Sequence, residues 1–247
     1  MNVQIEITTR CNFSCFYCAG RDMPQKDMPF DKFKDIISSH IIKYGVPKVV
    51  NLQGEGEPTL NSSFFAMADY VLSRGSIPYV ITNGTSKYPE KFSKVFKSIG
   101  VSVDSINSVE AESIGRPNLN ATLNFISAVK PTEVIVHSVR GAVPLESTHN
   151  VISWCRANSL KHIVQNLQGK EDYANRYPDK VVFVKTPVHF SCGFLDRDIM
   201  RYYNVDGKEL PCCFIKDVSS YSDIKTLRLE LYNKKTPIVC RGCSNLV

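Results

Sequence analysis

The sequence predicts an α/β fold: a partial (β/α)6, TIM-like barrel over residues 1–169, followed by a small C-terminal region stapled by metal over residues 170–247. Three observations predict it. Short apolar strands alternate six times with amphipathic helices through short connections. The loops rich in Cys or Gly fall at the carboxyl ends of strands, where parallel α/β folds gather their ligands. After about Gly169 the alternation stops, and five of the nine Cys follow. Periodicity by itself leaves a doubly wound sheet as the alternative architecture.

The elements follow in order. Val3, Ile5 and Ile7 alternate with polar residues and predict an opening strand with no leader before it. Pro29-Phe30-Asp31 starts a helix whose apolar stripe is Phe33, Ile36, Ile37 and Ile41, and Gly45-Val46-Pro47 ends it. Val49, Val50 and Leu52 form the second strand, which runs into Gln53-Gly54-Glu55-Gly56-Glu57-Pro58. Further helices are expected over 62–73, 89–98, 120–129 and 147–157, and strands over 77–81, 101–106, 133–139 and 162–167. Residues 171–180 have no clear period and predict a connection. Residues 200–214 predict a hairpin turning at Asp206-Gly207 in a type I′ turn, and 224–232 a short helix. So small a tail needs a staple beyond its own core.

Composition sets limits. Hydrophobic residues make up 43% and charged residues 22% of 247, as in a globular domain. No apolar run of about 18 residues predicts a membrane span. Nine Cys without an export signal argue for metal binding in a reducing cytoplasm rather than for disulfides. The formal charge of +6 comes from scattered Lys and Arg, without the clustered face of a nucleic-acid binder.

The densest chemistry is Cys11-Asn12-Phe13-Ser14-Cys15-Phe16-Tyr17-Cys18, directly after the first strand. Three thiolates this close hold a soft metal or an iron–sulfur cluster. Three ligands leave one iron of a four-iron cluster open to a small molecule. The plain alternative is a structural zinc site, but no His lies near and a fourth ligand would have to come from afar. The C-x3-C-x2-C spacing, with aromatic Tyr17 before the last Cys, resembles the signature of the radical S-adenosylmethionine (SAM) enzymes. That resemblance implies a 4Fe-4S cluster on Cys11, Cys15 and Cys18, with SAM on the open iron.

Other stretches extend the resemblance. Gly54-Glu55-Gly56-Glu57-Pro58 is otherwise a plain turn. It is similar to the family's Gly-Gly-Glu-Pro motif, with Glu55 in place of one Gly, which implies that this backbone and Glu57 receive the SAM amino group. Thr82-Asn83-Gly84 resembles the family's strand-three ending in the SAM pocket, although Asn-Gly is also a common strand exit. Ser102-Val103-Asp104 resembles its Ser-x-Asp, with Ser102 near the ribose. Arg116 resembles the Arg that pairs with the SAM carboxylate, although Pro117 stands where Gly is usual.

The tail resembles the twitch form of the SPASM auxiliary-cluster domain. This implies a second 4Fe-4S cluster on Cys192, Cys212, Cys240 and Cys243, and Gly207 to Cys212 matches the Gly-x-x-x-Pro-Cys hairpin. Cys213 is spare, and adjacent Cys on a strand point to opposite faces. A zinc staple is the rival reading of these four Cys.

Three residues are candidates for the reaction itself: Cys213 as a hydrogen donor, and His137 and Arg140 at the end of the fifth strand. Gln165 and Asn166 end the sixth. Cys155 reads as core, and His40 and His162 as structural or exposed.

The resemblance implies a 5′-deoxyadenosyl radical that abstracts hydrogen from a substrate C–H bond. A four-ligand auxiliary cluster suits an electron acceptor. Length and a single twitch cluster are similar to the family's 2-deoxy-scyllo-inosamine dehydrogenase group, so the expectation is dehydrogenation of a small molecule. The electron donor would be a flavodoxin or ferredoxin. The alternatives are peptide modification by cross-linking or epimerisation, and a non-catalytic metal-stapled electron-transfer or binding protein. Strand one at Val3 leaves no N-terminal peptide-recognition domain, which favours the small molecule. No nucleic acid or membrane is expected as a partner.

Overall fold

The computed structural model describes residues 1–18, 23–129, 132–170, 186–197, 200–215 and 219–247. The connection expected over 171–180 lies outside them.

The chain runs β1 (Asn2–Ile5), α1 (Phe30–Tyr44), β2 (Val49–Asn51), α2 (Phe64–Ser73), β3 (Ile77–Tyr79) and β4 (Ile81–Thr82). It continues with α3 (Pro89–Val95), β5 (Ser98–Ser102), α4 (Ser108–Ser113), α5 (Leu119–Ala128), β6 (Glu133–Arg140), α6 (Leu145–Ala157) and β7 (Lys161–Asn166). β8 (Met200–Tyr203), β9 (Glu209–Leu210) and α7 (Ile224–Tyr232) follow.

The strand order is β3-β2-β1-β8-β9 in one sheet and β4-β5-β6-β7 in the other. Only Val80 separates β3 from β4, so the two sheets continue into each other along the third strand. The pairs from β1 to β7 are parallel, with α1, α2, α3, α5 and α6 on the crossovers. This is the order of an open (β/α) barrel, and it places the loops after β1, β2 and β4 at one mouth.

The outer faces of the strands carry the core. Val3, Ile5, Val50, Ile99, Val101, Val134 and Val136 pack with Phe33, Ile37, Phe64, Phe92 and Phe125 from the helices. Phe64 stacks on Phe96, with ring centroids 5.6 Å apart. Burying such side chains stabilises by about 1.5–3 kcal/mol each.

Three expectations need correction. The strand predicted over 101–106 lies at Ser98–Ser102, and the helix predicted over 89–98 stops at Val95. Gly100 lies inside β5. A Cβ there would come within 2.7 Å of Ile81 Cγ1 and 2.9 Å of His137 Cδ2 and Tyr79 Oη, so only glycine fits. The hairpin turn is not type I′, because Asp206 is not at positive φ. Instead Gly207 N–H donates to Asn204 O (2.8 Å) and Asn204 N–H to Lys208 O (3.0 Å), with Gly207 at φ +79. That is a type I turn followed by a left-handed glycine bulge.

The hairpin also sits differently in the architecture. β8 is not detached from the barrel but pairs in parallel with β1, with Val3 opposite Arg201 and Ile5 opposite Tyr203. A second, smaller hydrophobic cluster follows it. There Leu195, Ile215, Leu227, Leu231 and Leu246 surround Cys192, Cys212, Cys240 and Cys243.

Candidate active site

The loop after β1 is held from below. Gly115, at φ +83, packs against Ser14 so closely that a Cβ would strike the Ser14 carbonyl. Ser14 N–H donates to Gly115 O (3.1 Å) and Phe16 N–H to Ile114 O (3.3 Å). The Sγ atoms of Cys15 and Cys18 lie 3.8 Å from the carbonyls of Gly115 and Glu55. Two different loops therefore flank the thiols.

Glu57 knits the second and third loops together. Its carboxylate accepts from Thr59 Oγ1 (2.7 Å), Thr59 N (3.2 Å), Thr82 Oγ1 (2.6 Å) and Asn83 N (2.7 Å). Four donors match the acceptor capacity of a carboxylate. Burial pushes its pKa up, while these bonds pull the other way. Glu57 thus holds Thr82 and Asn83 in place. Asn83 Nδ2 donates in turn to Asn12 Oδ1 (2.8 Å), returning the network to the Cys loop.

A second network closes the other side. Asp104 Oδ2 accepts from Tyr17 O–H and lies 2.6 Å from Arg116 Nε, which also donates to Tyr17 Oη (2.7 Å). Asp104 Oδ1 accepts from Val139 N (2.7 Å). Burial raises the Tyr17 phenol well above its ordinary value, so it stays protonated and donates. Arg116 is therefore tethered to Asp104 within the chain. Arg116 still lines the cavity.

One cavity of about 640 Å³ unites these parts. Cys11, Cys15 and Cys18 line it, together with Tyr17, Gly54, Glu55, Gly56, Glu57, Thr82, Asn83, Ser102 and Arg116. The three Cys and the residues read from sequence as touching SAM are thus at one place, with Gly84 off the wall. Among the described residues Arg116 is the one cation on its wall. Sequence reading missed much of the far wall: Gln4, Gln168, Ser244, Asn245 and Phe214. The signal for two of them was present, since Ser244 and Asn245 directly follow Cys243.

The three residues proposed for the reaction lie elsewhere. His137 is buried and does not line the cavity; its Nε2 lies 3.2 Å from Tyr79 Oη, and burial lowers its pKa to about 4. Arg140 ends β6 and is exposed. Cys213 lines a separate cavity of about 90 Å³ whose wall shares Gln4 and Gly54 with the large one.

Both sets of thiols fit a metal in the chemistry of their donors. Burial raises the pKa of Cys11, Cys15 and Cys192, and pushes Cys212 and Cys240 up to about 12. Bare thiols in such surroundings resist ionisation, and a cationic metal core reverses that. As placed, no three His, Cys, Asp or Glu side chains among the described residues close around one metal ion. Cys155, by contrast, sits in the apolar core under α6. No helix among the described residues is long and apolar enough to cross a membrane.

Comparison with known proteins agrees with the geometry. The model of the Radical SAM superfamily matches residues 5–146. The chain is similar to the S-adenosylmethionine-dependent nucleotide dehydratase of Selenomonas ruminantium, at 34% identity over 176 residues, 69% of this chain. It spans 58% of that relative's length. Among solved structures, Streptococcus suis SuiB bound to S-adenosylmethionine aligns with 97% of this chain and 66% of its own, with TM-score 0.66 and 13% identity. BtrN in complex with AdoMet and 2-DOIA aligns with 99% and 92%, with TM-score 0.57 and 14% identity. At such identities the likeness is one of fold.

Proposed function

The chain belongs to the radical SAM superfamily of enzymes, and from that premise we propose that it oxidises a small, polar, uncharged molecule by two electrons. Membership implies a 4Fe-4S cluster and SAM. Cys11, Cys15 and Cys18 would hold the cluster, and the Gly54–Gly56 carbonyls, Thr82, Asn83, Ser102 and Arg116 would hold SAM. Cys192, Cys212, Cys240 and Cys243 would hold a second cluster in a twitch-type region within 170–247. Bound there, these groups would supply hydrogen-atom removal at the first site and an electron sink at the second.

One observation carries the reading: the three Cys, the Gly-rich loop and the far wall share one cavity. A pocket of this size suits a cofactor with a small substrate beside it. Gln165 and Asn166 supply carboxamides, which donate and accept hydrogen bonds without charge, and Gln168 and Asn245, bonded to each other, complete the wall. Such a wall orients hydroxyl or amide groups. The Asp104–Arg116–Tyr17 network ties the Cys loop to the segments after β5 and α4.

An external one-electron donor such as flavodoxin or ferredoxin would reduce the first cluster. Nine Cys in one chain suit a reducing cytoplasm. The relative's name favours a second reading, removal of water from a nucleotide. The test is product analysis. Anaerobically reconstituted, reduced protein with SAM should release 5′-deoxyadenosine, and Cys15→Ala should abolish the release. With substrate, a product lighter by two hydrogens supports oxidation, and loss of the elements of water supports dehydration.

A further inference from the structure

Gln168 leaves the end of β7 and turns its carboxamide towards the C-terminal Cys loop. Its Nε2 lies 3.3 Å from Cys243 Sγ and 3.1 Å from Gly169 O. Its Oε1 accepts from Asn245 Nδ2. The backbone is stitched alongside: Ser244 N–H donates to Gly169 O (2.8 Å), and Gly169 N–H donates to Ser244 Oγ (3.1 Å). Because Asn245 fixes the carboxamide oxygen, the N–H side must face the sulfur. Gln168, Ser244 and Asn245 also line the large cavity.

We propose that Gln168 is a positioning residue that joins the wall of the substrate cavity to the metal centre on Cys243 and raises that centre's reduction potential. The proposal rests on the reading of Cys192, Cys212, Cys240 and Cys243 as ligands of a second cluster. An N–H aimed at a ligand sulfur stabilises the reduced form, which carries one more negative charge. Partners of this kind tune a metal centre without touching the metal. Gln168 also lines the large cavity, so the electron acceptor and the substrate would share one wall.

The test is a redox titration of the reconstituted full chain, followed by electron paramagnetic resonance. Gln168→Leu removes the N–H at similar size. The second cluster's potential should move to more negative values, while the first cluster's potential stays unchanged. An unchanged second potential in protein loaded with both clusters overturns the proposal. If Gln168→Leu fails to load the second cluster, Asn245→Ala, which frees the carboxamide, should produce the same negative shift, and no shift overturns it. Wild-type protein that shows a single cluster signal, with about four irons, removes the second cluster and the proposal together. That outcome is distinct from an unmoved potential.

Discussion

Arg116 Nε lies 2.6 Å from Asp104 Oδ2, and the Asp104 side chain is 1% exposed. The pair joins the strand end after β5 to the segment that follows α4, and Tyr17 adds the Cys loop to it. A buried pair that loses one partner leaves an uncompensated charge, which costs about 3–5 kcal/mol. Asp104→Asn should therefore lower stability by about that much, read from the urea midpoint. It should also loosen the Cys loop, seen as reduced iron retention. A midpoint within about 0.5 kcal/mol of wild type, the range of ordinary surface substitutions, would contradict the role given to the pair.

Gly100→Ala places a methyl group against Ile81, His137 and Tyr79. Overpacking of this kind costs about 1–3 kcal/mol. Thermal unfolding should show a lower midpoint. An unchanged midpoint would mean that β5 does not approach its neighbours so closely.

Glu57→Gln keeps the shape but turns an NH2 towards one of the four donors that Glu57 now accepts. Leaving a buried donor unsatisfied costs about 1–3 kcal/mol. Because Thr82 and Asn83 line the SAM cavity, SAM affinity measured by equilibrium dialysis should fall by about tenfold or more. Unchanged affinity would separate Glu57 from the pocket.

Two buried imidazoles set an acid dependence. Burial lowers the pKa of His137 and of His40 to about 4, below the ordinary value of 6.5. Between those values the unfolded chain takes up protons that the folded chain refuses. Stability from this source is complete above about pH 6.5 and is lost as pH falls towards about 4. Urea midpoints measured from pH 7 down to 4 should fall less steeply in His137→Phe than in wild type. Parallel slopes would rule out a buried neutral His137.

Cys212 and Cys213 are adjacent but face different spaces. Cys212 sits in the apolar cluster with Cys192, Cys240 and Cys243, and Cys213 lines the small cavity beside Gln4 and Glu6. Cys212→Ser should reduce bound iron from about eight to about four per chain, and Cys213→Ser should leave it near eight. The reverse pattern would exchange their roles.

Much of this was legible before any coordinates. Cys11, Cys15, Cys18 and the Gly54–Pro58 loop declare themselves because metal and cofactor chemistry constrains residue type and spacing locally. The apolar periods of α1, α2 and α6 are equally local. What escaped depends on distant neighbours. Gly100 looks like a break until Ile81, Tyr79 and His137 are seen crowding it. The pairing of β8 with β1 joins residues about two hundred positions apart, and no period encodes it. Asp104 stood beside Ser102 in the same motif, yet its burial against Tyr17 and Arg116 appears only once three loops converge. His137 and Arg140 were placed by strand position alone, and neither lines the large cavity.

The most direct test of the central claim asks whether SAM meets a cluster held by Cys11, Cys15 and Cys18. Anaerobically reconstituted protein is reduced, and its electron paramagnetic resonance spectrum is recorded with and without SAM. SAM should change the cluster signal in wild type and leave the spectrum of Cys15→Ala unaltered. A colourless preparation holding zinc, or a cluster signal indifferent to SAM, would contradict the account.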